Sequence, residues 1–332
     1  MKLLFVCLAG ALCCPAQTPF RVDVNLVNVG FSVRDDAGRL VGDLTQDEIE
    51  VFEDGVPQKI SYFARSADVD LNLGLIVDVS GSQESFVKQH HKDLQTFLKN
   101  VMKPDDRAYL IAFGNRIRLV DDFSSSPKQI ADALDHFDKN KGRELHPELG
   151  PREIRILGTA FYDALYYGVT EMLDKVERGR KALIVFSDGE DNSSAHHMMD
   201  AIEAAQSSNT LVYAVRYTEV HDGRWNARNK YGLSVMARIA KETGGADFDA
   251  REKGLAENFR QIGEELRASY ELGYLSTNSQ HDGTFHKIAI RVKRPGLTPR
   301  AKTGYYPRTG AALTESVPDQ AAERRRIAGR IK

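Results

Sequence analysis

The amino-acid sequence predicts an α/β protein in which a doubly wound, mostly parallel six-stranded sheet is inserted into a β-sandwich. Between residues 69 and 268, short apolar runs alternate with segments of helical periodicity, which is typical of a parallel sheet with helices on both faces. Residues 17–68 and 269–307 show the period-two alternation of strands instead. We therefore expect the N-terminal and C-terminal strands to build the sandwich together.

The composition is that of an ordinary globular protein, with 332 residues, 42% of them hydrophobic and 28% charged. At roughly 150 residues per domain, this length fits two or three domains. The formal net charge of −2 gives no sign of a nucleic-acid partner or of binding to an acidic membrane surface.

Residues 1–16 are predicted to be a signal peptide. Lys2 precedes an apolar run that extends to Cys14, and a small-residue cleavage site ends at Ala16. We expect cleavage near Ala16 and a secreted or periplasmic protein. Cysteines at the end of the run leave lipid anchoring as an alternative, and an uncleaved anchor is a second one. The run is shorter than the ~20 residues that span a bilayer, so we expect no integral membrane span in the mature chain.

All three cysteines, Cys7, Cys13 and Cys14, lie in this leader. Cleavage would leave the mature chain without cysteine. A disulfide, a thiolate nucleophile and a cysteine zinc site are then excluded, and the fold must be held by core packing.

Residues 17–68 are predicted to form an N-terminal β segment. Alternating apolar residues, such as Val29, Phe31 and Val33, indicate strands with one buried face. The Glu53-Asp54-Gly55 stretch predicts a hairpin turn, with residues 60–63 as the return strand. A unit of about 50 residues buries too little surface to be stable alone, so it needs a partner.

The partner is predicted at the other end of the chain, in residues 269–307. Strand-like stretches occur at 270–276, 286–294 and 301–307, and a turn at 278–283 predicts that the first two form a hairpin. The alternative to one sandwich is two separate small β modules. The polar tail, residues 308–332, is predicted to be disordered or a loose helix.

The central segment, residues 69–268, is predicted to alternate strands with helices. The strands are expected at 72–78, 107–113, 117–121, 181–187, 210–216 and 246–249, and the helices at 84–102, 127–137, 159–176, 195–207, 231–243 and 254–268. Such an order predicts a parallel sheet, whose ligand sites lie at the carboxyl ends of the strands.

Oxygen-bearing side chains follow the ends of two of these strands and begin one helix. Asp78, Ser80 and Ser82 follow the first strand, Thr159 opens a helix, and Asp188 follows the strand at 181–187. Carboxylates and hydroxyls are hard ligands of the kind that Mg²⁺, Ca²⁺ and Mn²⁺ prefer. The alternative is that the serines simply cap the following helix.

These five residues resemble the metal-ion-dependent adhesion site (MIDAS) of von Willebrand factor A-type (VWA) domains, which integrin I domains also carry. Asp78, Ser80 and Ser82 match the first element of that motif, Thr159 the second and Asp188 the third. The resemblance covers about residues 69–267. Together with an LT-x-x-x-I-x-V-x-E-D-G segment before it and a G-Y-Y stretch after it, the chain resembles the VWFA-related Acidobacterial domain family.

The resemblance implies a sheet with the strand order 3-2-1-4-5-6. It also implies one bound divalent cation, for which Mg²⁺ is the expected ion and Mn²⁺ or Ca²⁺ are the alternatives. It also implies a protein ligand whose acidic side chain completes the coordination of the ion. We therefore expect a cation-dependent adhesion or assembly module and not an enzyme. A metal-stabilised structural module without a regulated ligand is the alternative.

Three enzyme classes fit less well. A dinucleotide-binding oxidoreductase needs Gly-x-Gly-x-x-Gly after the first strand, where this chain has only Gly81, and the Gly-Lys-Ser/Thr of a P-loop NTPase is missing. A magnesium-dependent phosphatase of the haloacid-dehalogenase type would want an acidic residue where Ser80 stands.

Three further residues are weaker candidates. Glu190 and Asp191 lie close to Asp188 in sequence, and we expect them on the solvated surface, with support of the metal ligands as the alternative. Trp225, the only tryptophan, lies in a polar loop and either contacts a ligand or tucks onto the sheet.

Overall fold

The computed structural model describes residues 26–66, 69–139, 143–151, 158–218, 225–252, 254–278 and 284–307. The predicted signal peptide, residues 1–16, and the predicted tail, residues 308–332, lie outside these ranges. Among the described helices, none combines the length and the apolar character that a membrane crossing requires.

Strands and helices occur in the following order along the chain. The strands are β1 (Leu26–Asp35), β2 (Ile49–Glu53), β3 (Val56–Gln58), β4 (Ile60–Ser66), β5 (Leu71–Asp78), β6 (Arg107–Phe113), β7 (Ile117–Ser124), β8 (Arg180–Ser187), β9 (Thr210–Arg216), β10 (Asp247–Asp249), β11 (Ser269–Leu275), β12 (His286–Val292), β13 (Leu297–Ala301) and β14 (Gly304–Tyr305). The α-helices are α1 (Val87–Val101), α2 (Pro127–Asp138), α3 (Phe161–Tyr167), α4 (Met198–Ser207), α5 (Ala227–Thr243) and α6 (Leu255–Arg267).

The central sheet has six strands in the order β7-β6-β5-β8-β9-β10. Its strand pairs are parallel except for β7, which runs antiparallel to β6. Numbered within the domain, this is the 3-2-1-4-5-6 order, and the predicted doubly wound fold is confirmed. Every residue of β5 is buried, which explains the apolar run from Leu73 to Val77 in the sequence.

Helices cover both faces of the sheet. On one face, α1, α2 and α6 pack on the sheet, and the rings of Phe97 and Phe259 meet edge to face with centroids 5.3 Å apart. On the other face lie α3, α4 and α5, whose apolar residues pack against Ile76, Leu183 and Val185. The central domain therefore has two cores separated by the sheet.

The terminal strands form two four-stranded antiparallel sheets, β13-β1-β11-β4 and β14-β12-β2-β3. Apolar residues of both sheets share one core, including Phe31, Tyr270, Val51 and Ile288. The rings of Phe31 and Tyr270 stack with centroids 5.3 Å apart. Strands from both ends of the chain thus build one sandwich and not two separate modules.

Two predicted strand pairings in this sandwich are wrong. The hairpin turn is present, with positive φ at Asp54 and Gly55, but β3 and not residues 60–63 pairs with β2. Strand β4 crosses to the other sheet, where Phe63 stacks on Tyr270 with a centroid distance of 5.5 Å. Strands β11 and β12 likewise lie in different sheets and form no hairpin. In each case, burial of an apolar face outweighs the local turn signal.

Two predicted helices are less regular than their periodicity indicates. A 3₁₀ turn, Gly81–Phe86, precedes α1. The helix expected at 159–176 is α3 followed by a π-helical stretch, Gly168–Leu173. The hydroxyl of Tyr109 donates to the Gly168 carbonyl (2.7 Å), so a side chain competes for this backbone acceptor.

A buried ion pair lies where the chain passes between the sandwich and the central domain. The Arg267 guanidinium, at the end of α6, pairs with Asp106 and also donates to the carbonyls of Val101 (2.8 Å) and Val69 (3.2 Å). Asp106 is 1% exposed and also accepts from the backbone N–H of Leu71 (2.8 Å). One pair therefore holds the start of β5, the end of α1 and the end of α6 together.

We predict that Asp106→Ala lowers the free energy of unfolding by about 3–5 kcal/mol, because Arg267 is left buried without its partner. Urea unfolding followed by circular dichroism measures this loss. Asp132→Ala, which breaks the exposed Lys128–Asp132 pair on α2, serves as the control and should shift the midpoint little. Equal effects of the two substitutions would contradict the proposed importance of the buried pair.

Candidate metal centre

The predicted site residues lie at the carboxyl edge of the central sheet, where the parallel strands end. Asp78 ends β5, and Asp188 directly follows β8, the strand paired with it. The chain continues from these two neighbouring strands in opposite directions across the sheet, to β6 and to β9. This is the topological switch point at which open α/β sheets bind ligands.

Four of the five predicted metal ligands form one connected cluster. The backbone N–H of Ser80 donates to Asp78 Oδ1 (2.9 Å), and the Ser80 and Ser82 hydroxyl oxygens lie 3.2 Å apart. The Ser82 hydroxyl donates to Asp188 Oδ2 (2.8 Å). Ser80 precedes the 3₁₀ turn without a side-chain capping bond. The two hydroxyls therefore face the carboxylates, and helix capping does not account for them.

Thr159 lies on the adjoining loop. Its backbone N–H donates to Asn192 Oδ1 (2.7 Å), and the next residue, Ala160, donates to the Gly114 carbonyl (2.8 Å). Gly158 and Ser80 line one cavity, so the loop reaches the cluster. Within the described chain, no hydrogen bond joins the Thr159 hydroxyl to the other four predicted ligands.

The site is electrostatically unbalanced without a cation. Asp78 is fully buried and Asp188 is 5% exposed. Burial, and secondly the charge of Asp188, raise the pKa of Asp78 to about 7. Hydrogen bonds from Ser187 and Ser80 offset this rise only in part. Two buried carboxylates with adjacent hydroxyls are a donor set that fits a divalent cation, which would relieve their repulsion.

The predicted solvent exposure is wrong for Glu190, while Asp191 is half-buried. Glu190 is 8% exposed, its N–H donates to Asp188 Oδ1 (3.0 Å), and its carboxylate pairs with Arg228 Nε (2.6 Å). Burial, and then Asp188, raise the pKa of Glu190, while Arg228 lowers it. Both Asp188 and Glu190 are therefore buried, and their contacts with Gln83 and Arg228 hold them there.

Asp191 positions the loop that carries Thr159. Its Oδ1 accepts from the backbone N–H groups of Phe161 (2.8 Å) and Tyr162 (3.3 Å), at the start of α3, and from the Ser194 hydroxyl. A carboxylate there satisfies N–H groups that have no partner within the helix. Asp191 therefore acts on the predicted ligand Thr159 through the backbone.

Sequence reasoning missed Gln83 and Ser187. Gln83 is 1% exposed and donates from Nε2 to Asp188 Oδ2 (2.7 Å), while the Ser187 hydroxyl donates to Asp78 Oδ2 (2.6 Å). Each of these two side chains fixes the orientation of one carboxylate through a hydrogen bond. Their adjacency to Ser82 and Asp188 in the sequence was the available signal, but their orientation depends on the packed loops.

Helix α5 packs very closely on the loop after β8. Gly189 has a φ of +76°, and an added Cβ there would lie 2.5 Å from Met236 Cγ. A Cβ on Gly232 would lie 2.2 Å from the carbonyl oxygen of Asp188. Glycine is required at both positions for this approach, which fixes the backbone of Asp188.

Trp225 lies just before α5 and is half-buried, with the Arg251 guanidinium 5.6 Å from its ring centre. Its described contact is thus a cation–π pair away from the predicted ligands. The structure brings Trp225 onto the protein surface beside Arg251 and not into the cluster.

A second acidic cluster lies in the sandwich and was not predicted. Ligand atoms of Glu53, Asp54 and His286 lie within 4.8 Å of one another. His286 Nδ1 is 2.9 Å from Glu53 Oε1, and the Ser276 hydroxyl donates to the same oxygen (2.7 Å). These hydrogen bonds already connect β2, β12 and the end of β11.

Comparison with known proteins gives the following matches. The sequence model of the von Willebrand factor type A domain family matches residues 72–248. No curated protein sequence matches the chain. Similar solved structures include an aerotolerance-related membrane protein from Bacteroides fragilis NCTC 9343, at 16% identity over 59% of this chain and 98% of that chain, with a TM-score of 0.44.

Two further solved structures have the same TM-score of 0.44 at 14% identity. Proximal thread matrix protein 1 from the mussel byssus, with a zinc-occupied MIDAS motif, is matched over 64% of this chain and 49% of that chain. A von Willebrand factor type A protein from Catenulispora acidiphila is matched over 86% of this chain and 75% of that chain. Because the family match covers more than half of the sequence, this chain belongs to the von Willebrand factor type A domain family.

Proposed function

We propose that the protein is an extracytoplasmic binding module that holds one divalent cation, Mg²⁺ first, with Mn²⁺ or Ca²⁺ as alternatives. The ligands would be Asp78, Ser80, Ser82, Thr159 and Asp188. The observation that carries this proposal is the pair of buried carboxylates at the switch point, joined through the backbone N–H of Ser80 and the hydroxyls of Ser80 and Ser82. The location outside the cytoplasm is inferred from the leader sequence alone.

The charge of this site suits an acidic protein ligand. Two carboxylates, Asp78 and Asp188, balance the charge of a divalent ion, while the hydroxyls are neutral. When bound, the ion supplies a Lewis-acidic position that a carboxylate of the partner can occupy. Gln83 and Ser187 hold the two carboxylates in place, so the partner would meet a preformed site. We therefore propose binding and not catalysis.

We predict that a cation stabilises the wild-type protein and not Asp78→Ala. A ligand that binds only the folded state adds about 2.7 kcal/mol at a hundredfold excess over its Kd. Thermal unfolding in chelator, and then with added Mg²⁺, Mn²⁺ or Ca²⁺, measures the shift. Asp132→Ala should respond as the wild type does. Failure of every cation to shift the wild type would refute the metal site.

The raised pKa of Asp78 predicts a pH dependence in the cation-free protein. Its folded pKa of about 7 exceeds the unfolded value of 3.8, so its contribution to stability is complete below pH 3.8 and is lost as the pH rises to about 7. The loss is on the order of 4 kcal/mol. Asp78→Asn should remove it, which urea midpoints measured in chelator across this range would reveal. Parallel pH profiles of the two proteins would contradict the assignment.

Selection of peptides on the protein tests the acidic ligand. A random peptide library selected in Mg²⁺ and eluted with chelator should enrich Asp or Glu. Replacing the acidic residue of a selected peptide by its amide should weaken binding at least about tenfold, or 1.4 kcal/mol. Thr159→Val should weaken binding in Mg²⁺ without loss of the fold. If instead Asp78→Ala abolishes folding and no peptide is selected, the cation has a structural role only.

A further inference from the structure

A small cavity lies at the opposite edge of the central sheet, where β8 and β9 begin and the sandwich packs against them. Its volume is about 40 Å³. Its lining includes Gly30 and Glu271 from the sandwich, Arg180, Gln206 and Thr210 from the central domain, and Lys302 from the segment after β13. Exposed Asn28 and Asn209 also line it, so it is open to small ions on that side.

Arg180 is the central charge of this cavity. It is 8% exposed, and its guanidinium lies directly against β1, since a Cβ on Gly30 would be 2.2 Å from Arg180 Nη1. A larger side chain at this position of β1 would displace the charged group. Burial lowers the pKa of Arg180. A guanidinium held in this way requires an anion close by.

The available counter-charge is weak. Arg180 Nη1 lies 3.7 Å from Glu271 Oε1, and the Glu271 side chain is 49% exposed. The nearby buried carboxylate, Glu265, already pairs with Arg34 (2.6 Å) and Arg300 (3.3 Å). Lys302 adds a second cation to the cavity, where burial lowers its pKa to about 8. The cavity thus holds two cations beside one half-exposed carboxylate.

Three buried polar atoms of the cavity residues have no hydrogen-bond partner within the described chain: Arg180 Nε, Thr210 Oγ1 and Gln206 Oε1. Thr210 is 2% exposed and Gln206 is 1% exposed. Gln206 Nε2 donates to the Glu242 carbonyl (2.8 Å), which leaves Oε1 as an acceptor that needs a donor. Lys302 Nζ donates to the Gln206 carbonyl and Asn209 Oδ1, which leaves one ammonium hydrogen.

A ligand that paired with all of these groups would be negatively charged, would accept hydrogen bonds from Arg180, Thr210 and Lys302, and would donate one to Gln206. Water would satisfy the hydrogen bonds but not the charge. A space that admits about three waters also admits one small oxyanion in their place.

We propose that this cavity binds one hydrogenphosphate ion, whose oxygens accept from Arg180, Thr210 and Lys302 and whose hydroxyl donates to Gln206 Oε1. Sulfate has no proton at neutral pH and cannot make the last bond, and a phosphomonoester dianion lacks it as well. The ion bridges the sandwich and the central domain. This site is separate from the cation site, and the proposal does not depend on the function of that site.

Isothermal titration calorimetry of the full chain near neutral pH, in chelator, tests the proposal. Chelation removes divalent cations, which would bind phosphate themselves. Phosphate should bind with a stoichiometry of one, and sulfate and glycerol phosphate at least about tenfold more weakly. Calorimetry is preferred to thermal unfolding because both phosphate and sulfate stabilise proteins nonspecifically.

Thr210→Val provides the matched variant. Valine has the shape of threonine and suits a strand, and it removes a buried hydroxyl that has no partner, so the ion-free protein should unfold at the same or a higher temperature. Its affinity for phosphate should fall at least about tenfold. Ser269→Ala removes a buried unpartnered hydroxyl that does not line the cavity and should leave the affinity unchanged.

Absence of saturable phosphate binding to the wild type would overturn the proposal. So would equal affinities for phosphate and sulfate, or a Thr210→Val variant that binds phosphate as tightly as the wild type.

Discussion

The structure depends on one geometric constraint, namely that an inserted domain must begin and end at neighbouring points. Strands β4 and β11 meet this constraint because Ser66 and Ser269 are paired in register on adjacent strands. The Arg267–Asp106 pair then holds the departing and the returning chain against the end of α1. With these ends held together, β4 and β11 can pair directly in the sandwich, although a whole domain separates them in sequence.

The two edges of the central sheet carry opposite unbalanced charges. At the carboxyl edge, Asp78 and Asp188 are buried beside neutral hydroxyls, which favours a cation. At the amino edge, Arg180 and Lys302 share a cavity with one half-exposed carboxylate, which favours an anion. Burying such groups costs free energy unless a partner, a ligand or a change of protonation neutralises their charge. The uncompensated side chains are therefore the most informative guide to ligands in this chain.

Local patterns were sufficient to predict the central domain. The alternation of apolar runs and helical segments over residues 69–268 predicted the sheet, because buried strands and polar loops are recognisable over short stretches. The candidate site was predicted from three such loops and from their resemblance to a known motif. The path of β4 and the burial of Glu190 were not predictable, because they depend on contacts with Tyr270 and Arg228, which are distant in sequence. The same holds for Arg180. A charged residue at the start of a strand is usually solvated, and Arg180 is buried because β1 packs against it.

The sharing of the sandwich between both chain ends also favours a particular order of folding. Phe31 on β1 pairs with Tyr270 on β11, so the N-terminal strands find their partners only across the whole inserted domain. The central domain has its own cores and can fold before this pairing forms. Once folded, it brings β4 and β11 side by side and replaces a long flexible loop by a short one, which lowers the entropy cost of closing the sandwich. Until then the unpaired β1 is open to aggregation, so the inserted domain acts as an internal folding template for the strands that flank it.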